Sequence, residues 1–132
     1  METIVELRAA KIPIVGFIAV HYWYVIIRGN EKDRWEIWQN RDLSPESWGH
    51  LHKNLMSPVA GVGNGNSWLE ISWTRELGNN LAQTIEKSPI IYPYNDCYCY
   101  FPGPNSNTYV QWILNQTNCD HRLSLKAIGK YY

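Results

Sequence analysis

The sequence predicts an α+β fold, an antiparallel sheet packed with two to three helices in a single domain spanning residues 1–132. Three observations predict it. The run from Val15 to Arg28 is dense in β-branched and aromatic residues, the composition that fits a pleated, half-buried surface. A polar turn and a second aromatic run follow it, as in a hairpin. Two later stretches carry apolar residues at helical spacing, Leu77, Leu81 and Ile85 in one, Val110, Ile113 and Leu114 in the other.

In chain order, Ile4 to Ala9 alternates weakly and reads as an opening strand, with Pro13 interrupting before the next. Along Val15–Arg28, a period of two sets His21, Trp23, Val25 and Ile27 on one face and Tyr22, Tyr24 and Ile26 on the other. Both faces are therefore expected to be covered. Gly29 to Asp33 reads as the turn, and Arg34 to Asn40 as the returning strand, which places Asn40 or Arg41 opposite His21. Leu43 to Leu55 opens with Ser44-Pro45-Glu46, an N-cap followed by a first-turn proline, and predicts a short helix. Ser57 to Asn66 carries Gly61, Gly63 and Gly65 and reads as a flexible loop. Its glycines lack the G-x-G-x-x-G spacing of a dinucleotide fingerprint. Ser67 to Trp73 alternates as a strand, and an amphipathic helix follows from about Arg75 to Lys87, ahead of Pro89. After an ordered loop rich in proline, Tyr109 to Leu114 reads as the last helix.

Composition excludes several classes of function. With 45% hydrophobic and 18% charged residues the chain lies in the globular range rather than the disordered one. Twelve basic and twelve acidic residues cancel and are scattered, so nothing marks a nucleic-acid partner or an anionic membrane surface. The longest apolar region, Ile12 to Ile27, is broken by Pro13, Gly16 and His21 and reads as strand rather than membrane span. The first residues lack the basic and apolar regions of a secretory signal, and the expected location is cytoplasmic. Three cysteines cannot all pair, so reduced thiols are expected.

The segment Pro102-Gly-Pro-Asn-Ser-Asn-Thr-Tyr-Val-Gln-Trp112 carries the strongest site signal. Two prolines and a glycine fix a turn, and Asn105 or Ser106 can cap the helix that follows. A helix start presents free N–H groups and the positive end of the dipole, which suits an oxyanion or a nucleophile. Ser106 is the candidate nucleophile. A hydroxyl needs a general base, for which His21 is the best placed histidine, with Asn40 expected to orient its imidazole. Asn105, Asn107, Trp23 and Tyr109 are the candidate ligand contacts. Cys97-Tyr-Cys99 and Cys119-Asp-His121 have one-residue gaps that suit tetrahedral zinc poorly, so neither a metal nor any other cofactor is expected. His50 and His52 read as solvated. Glu36, Glu70 and Glu76 show no spacing that pairs two carboxylates for glycosidase chemistry.

Gly16-Phe-Ile-Ala-Val-His21-Tyr-Trp23, Trp35-Glu-Ile, Tyr92-Pro-Tyr, Phe101-Pro-Gly-Pro-Asn-Ser-Asn-Thr-Tyr-Val and Ala127-Ile-Gly-Lys130-Tyr occur here in order. Together they resemble a bacterial family of uncharacterised proteins marked by a PGPNSNTF motif. Many members of that family carry an N-terminal membrane segment, which this sequence does not show. More loosely, a strand histidine followed by Asn-Ser-Asn-Thr-Tyr at a helix start is similar to circularly permuted papain-like domains of the NlpC and lecithin retinol acyltransferase type. In those domains Asn-Cys-x-x-Phe holds the nucleophile, and Ser106 falls at the cysteine position. This resemblance implies a hydrolase or acyltransferase acting on an amide or ester of a small molecule or peptide through His21 and Ser106. The alternative is a non-catalytic binding or protein-interaction module on the same scaffold.

Overall fold

The computed structural model describes residues 2–14 and 17–132. Six antiparallel strands form one sheet in the order β4-β5-β3-β2-β1-β6, and two helices pack against it. The strands are β1 (Thr3–Ile14), β2 (Phe17–Arg28), β3 (Glu31–Ile37), β4 (Ser47–Trp48), β5 (Leu51–Lys53) and β6 (Trp68–Trp73). The helices are α1 (Arg75–Ile91) and α2 (Ser106–Gln116). This is the predicted α+β class. Among the described residues no helix is long and apolar enough to cross a membrane.

β1 and β2 pair along their whole length, from Thr3 opposite Arg28 to Ile14 opposite Phe17. Pro13 therefore lies inside a strand rather than between two. β6 pairs with β1 only from Val5 to Ala9, so at Pro13 the far side of β1 has no strand beside it, the edge setting in which a missing N–H costs least. Of the strand predicted from Val15, the described part begins at Phe17; Val15 and Gly16 lie outside the described residues.

The predicted alternation of β2 divides the core. Tyr22, Tyr24 and Ile26 join Leu7, Leu81, Ile85, Tyr109, Val110 and Ile113 under the helices. Trp23 and Val25, with Ala10, form a second buried cluster on the opposite face. The loop predicted over Ser57 to Asn66 covers Trp23 and is tied down there: Trp23 Nε1 donates to the Pro58 carbonyl at 3.0 Å, and Arg34 Nη1 donates to Ser57 and Ala60.

Two predicted helix boundaries shift and one helix is absent. α1 continues through Pro89 to Ile91 because the carbonyl that Pro89 cannot serve, that of Ile85, accepts instead from Ser88 Oγ at 2.6 Å. α2 begins at Ser106 behind Asn105, one of the two predicted caps, and so three residues ahead of Tyr109, where the apolar pattern starts. Leu43 to Leu55 is not a helix but the edge hairpin β4–β5. There Ser44 Oγ accepts from Glu46 N and bonds Ser47 Oγ, a local alternative to helix, while β5 adds to β3 with Leu51 opposite Ile37. His50 and His52, read as solvated, are buried: His52 bridges Ser47 Oγ at 2.6 Å and the Asn40 carbonyl at 3.0 Å.

Candidate active site at the start of α2

β3 pairs with β2 only as far as Tyr24 opposite Trp35. Beyond that point the edge of β2 would be left with unpaired backbone groups inside the protein, an expensive arrangement unless something replaces the strand. The start of α2 and the C-terminal tail replace it. Asn107 Oδ1 accepts from Tyr22 N at 3.1 Å, Asn107 Nδ2 donates to Val20 O at 2.7 Å, and Val20 N donates to Lys126 O at 3.0 Å. One amide side chain thus acts as a segment of strand and brings the residue before it beside His21.

Asn105 caps the helix. Its Oδ1 accepts from Asn107 N and Thr108 N, while Thr108 Oγ1 accepts from Asn105 N, a reciprocal capping box. The tail closes over this cap through Thr108 Oγ1, which donates to Gly129 O at 2.7 Å, and Asn107 Nδ2, which donates to Ile128 O. Gly129 has φ 97°, and a Cβ there would stand 2.3 Å from Asn105 Oδ1, so only glycine allows the approach. Asn105 and Asn107 are fully engaged with the backbone, whereas Ser106, between them, is half-buried and faces a cavity of about 300 Å³.

Ser106 Oγ lies 2.9 Å from His21 Nδ1. The other ring nitrogen, Nε2, lies 3.0 Å from Glu36 Oε1. Glu36 is gripped in turn by Arg34, whose Nε donates to Oε2 at 2.5 Å and whose Nη2 donates to Oε1 at 2.8 Å. Arg34 and Glu36 are each 1% exposed and His21 is 6% exposed, so the chain from guanidinium to hydroxyl is dry except at the serine end. Burial alone would raise the Glu36 carboxyl, but hydrogen bonds and charge from His21 and Arg34 outweigh it and hold the pKa at about 2. An ionised carboxylate accepts only, which fixes the proton of a neutral imidazole on Nε2 and leaves Nδ1 to accept from the serine. The ring is turned the opposite way from the Ser-His-Asp triad, where Nε2 faces the serine. Among the described residues the Ser106 amide has no acceptor, as befits the first turn of a helix, and it is free to donate.

The candidate ligand contacts divide. Trp23 and Tyr109 are fully buried and do not line the cavity. Trp23 is held between neighbours, stacked on His21 at 5.5 Å with the Arg34 guanidinium 3.9 Å from its ring centre, and Tyr109 OH bonds Ser88 Oγ. Asn105 and Asn107 line the cavity, and the amide of each is already bonded to backbone through both its oxygen and its nitrogen. Asn40 does not orient the imidazole: it is exposed, its carbonyl serves His52, and Glu36 holds the position assigned to it. The one signal for Glu36 was the alternation Arg34-x-Glu36-x-Trp38, which sets opposite charges on one face of the strand; in the correct register that is the face of His21. Cys97 and Cys99 are exposed free thiols, Cys119 packs against the core, and His121 Nε2 bonds Glu70 at 3.0 Å. Among the described residues no group of three or more His, Cys, Asp or Glu is disposed to hold a metal ion.

A family model described as "Protein of unknown function (DUF3750)" matches residues 2–132, and the chain belongs to that family. No curated protein and no solved structure matches it.

Proposed function

We propose that this protein is a serine-dependent hydrolase or acyltransferase acting on an amide or ester, with Ser106 as nucleophile, His21 as general base and Glu36 as the residue that positions the imidazole. The observation that carries the reading is the unbroken chain Ser106 Oγ, His21 Nδ1, His21 Nε2, Glu36 Oε1, with spacings of 2.9 and 3.0 Å and its reactive end on a cavity. Hydrogen-bond reach of this kind is what proton abstraction from a serine requires.

In the first step the Oγ proton passes to His21 Nδ1 as Oγ bonds to the substrate carbonyl carbon. The negative charge that develops on the carbonyl oxygen meets the Ser106 N–H and the positive end of α2. The imidazolium that forms is stabilised by the Glu36 carboxylate. When the bond to the alcohol or amine breaks, Nδ1 returns its proton to the leaving group. Water, or an acceptor alcohol or amine, then repeats the sequence on the acyl-serine and frees Oγ.

A histidine strand preceding a nucleophile helix, with the helix start packed on that strand, also agrees with a circularly permuted papain-like arrangement in which serine takes the place of cysteine. The three free thiols agree with a reducing, cytoplasmic setting. A fluorophosphonate probe tests the reading. Wild type is expected to be labelled at Ser106 and S106A not at all. Absence of label on wild type would sink the hydrolase and leave a binding module on the same scaffold.

A further inference from the structure

The cavity above Ser106 has walls of one kind. Ile12, Ala19, Val20, Ile37 and Ile128 line it, Val62 and the rings of Trp38, Tyr98 and Tyr100 stand around them, and its polar members besides Ser106 and His21 include Gln39, Asn105, Asn107 and the Trp38 indole N–H, which is buried with no partner among the described residues. Among the described residues that line it there is no Asp, Glu, Lys or Arg. The two asparagines bond backbone: Asn105 Nδ2 donates to Tyr100 O, and Asn107 serves Tyr22, Val20 and Ile128. A carboxylate or ammonium on the ligand would lose its hydration there without gaining a countercharge, which a buried ion does not tolerate.

Size narrows the ligand further. At about 30 Å³ per non-hydrogen atom, the share of a water molecule in the liquid, 300 Å³ holds about ten such atoms. The volume lies at the lower end of small-molecule sites, so a long lipid chain would leave most of its carbons outside it, past the exposed rim at Gln39, Val62 and Tyr100.

Resting on the serine-hydrolase reading above, we infer that the site takes a neutral, apolar acyl group of roughly four to eight carbons, presented as an ester or amide, and transfers it to Ser106. The acyl carbon bonds to Oγ, the bond to the alcohol or amine breaks, and that group leaves with the proton returned by His21. Selectivity then arises from exclusion of charge and of length, because the walls offer contact area and no ionic partner.

The test uses the full chain and a series of p-nitrophenyl esters from acetate to palmitate, with the succinate monoester set against the butyrate. Fluorophosphonate labelling is measured in parallel. The inference expects kcat/KM to peak between butyrate and octanoate and to be at least tenfold lower for succinate than for butyrate. Ala19 is buried on the cavity wall. A19L should move the peak to shorter chains, and V62A, at the more exposed rim, should move it to longer ones whether or not A19L folds. Labelling of Ser106 with a flat profile, or with succinate preferred, overturns the inference and leaves the hydrolase reading standing. No labelling and no turnover overturns both.

Discussion

Glu36 is the residue on which most of the site's electrostatics turns. Its two oxygens receive three charge-assisted or imidazole hydrogen bonds, and water reaches neither. In E36Q the amide can no longer anchor the Nε2 tautomer or stabilise an imidazolium. The rate of fluorophosphonate labelling is expected to fall by roughly 10²- to 10⁴-fold, the upper end matching the loss when a triad carboxylate is replaced by its amide. The same change leaves the Arg34 guanidinium buried without its anion, at a cost of about 3–5 kcal/mol. Stability loss alone could then mimic a functional effect. The double variant R34M/E36Q separates them, because it removes both charges together: chemical denaturation should show much of the stability restored, while labelling stays low. Recovery of labelling in the double variant would show that Glu36 acts on folding and not on His21.

At the level of elements, the start of α2 is held by substitution for a missing strand. Asn107 carries three bonds, to Tyr22 N, Val20 O and Ile128 O, and N107A leaves these partners buried and unpaired. With each buried orphan costing about 1–3 kcal/mol, partly relieved by water, a net loss of about 2–4 kcal/mol is expected by urea denaturation. Labelling of Ser106 should slow even at temperatures where the variant remains folded, since Asn107 ties the backbone of β2 to the residue that follows the nucleophile, and the remaining links, Tyr24 OH to the Val110 carbonyl and Ser106 to His21, do not replace it. The strands and helices themselves were legible in the sequence wherever a long period existed, as in β2, β6 and α1. The error that hid Glu36 was one of register. Reading Gly29 to Asp33 as a five-residue turn sets Asn40 or Arg41 opposite His21. The actual turn is two residues, with Gly29 at φ 61° and Arg28 opposite Glu31, so the strand returns three residues earlier. Extended along the same register, Glu36 lies across from Trp23 and Trp38 across from His21, which brings the carboxylate diagonally within reach of the imidazole. Leu43 to Leu55 failed for a different reason: its serine-proline start fits a helix cap and a serine turn equally well, and pairing of Leu51 with Ile37 decided between them.

For the whole molecule, the placement of the ion pair makes global stability depend on acid in a defined window. Pro-Gly-Pro-Asn-Ser-Asn-Thr marked Ser106 in the sequence, but no local pattern could reveal that Arg34 and Glu36 would be dry, because their burial depends on the glycine loop folding over Trp23, its contacts to Arg34 and Trp23 lying 23 to 35 residues along the chain. In the folded protein the Glu36 carboxyl is held at about 2 against an ordinary value of 4.5. Between those values the unfolded chain binds a proton that the folded one does not, so stability is fully present above about 4.5 and is lost as pH falls towards about 2. A gap of that size corresponds to about 3 kcal/mol. His52 adds an earlier and separate step. Burial lowers its pKa below the usual 6.5, so the unfolded chain takes up its proton first and stability begins to decline below that pH. Urea midpoints measured from pH 8 down to pH 2.5 should therefore fall in two stages. H52Q is expected to flatten the first stage and R34M/E36Q the second, each leaving the other in place. A midpoint that stays constant from pH 4.5 to 2.5 in the wild type would mean that His21 and Arg34 do not hold the Glu36 carboxyl below its ordinary pKa, and that the buried ion pair adds nothing to stability in acid.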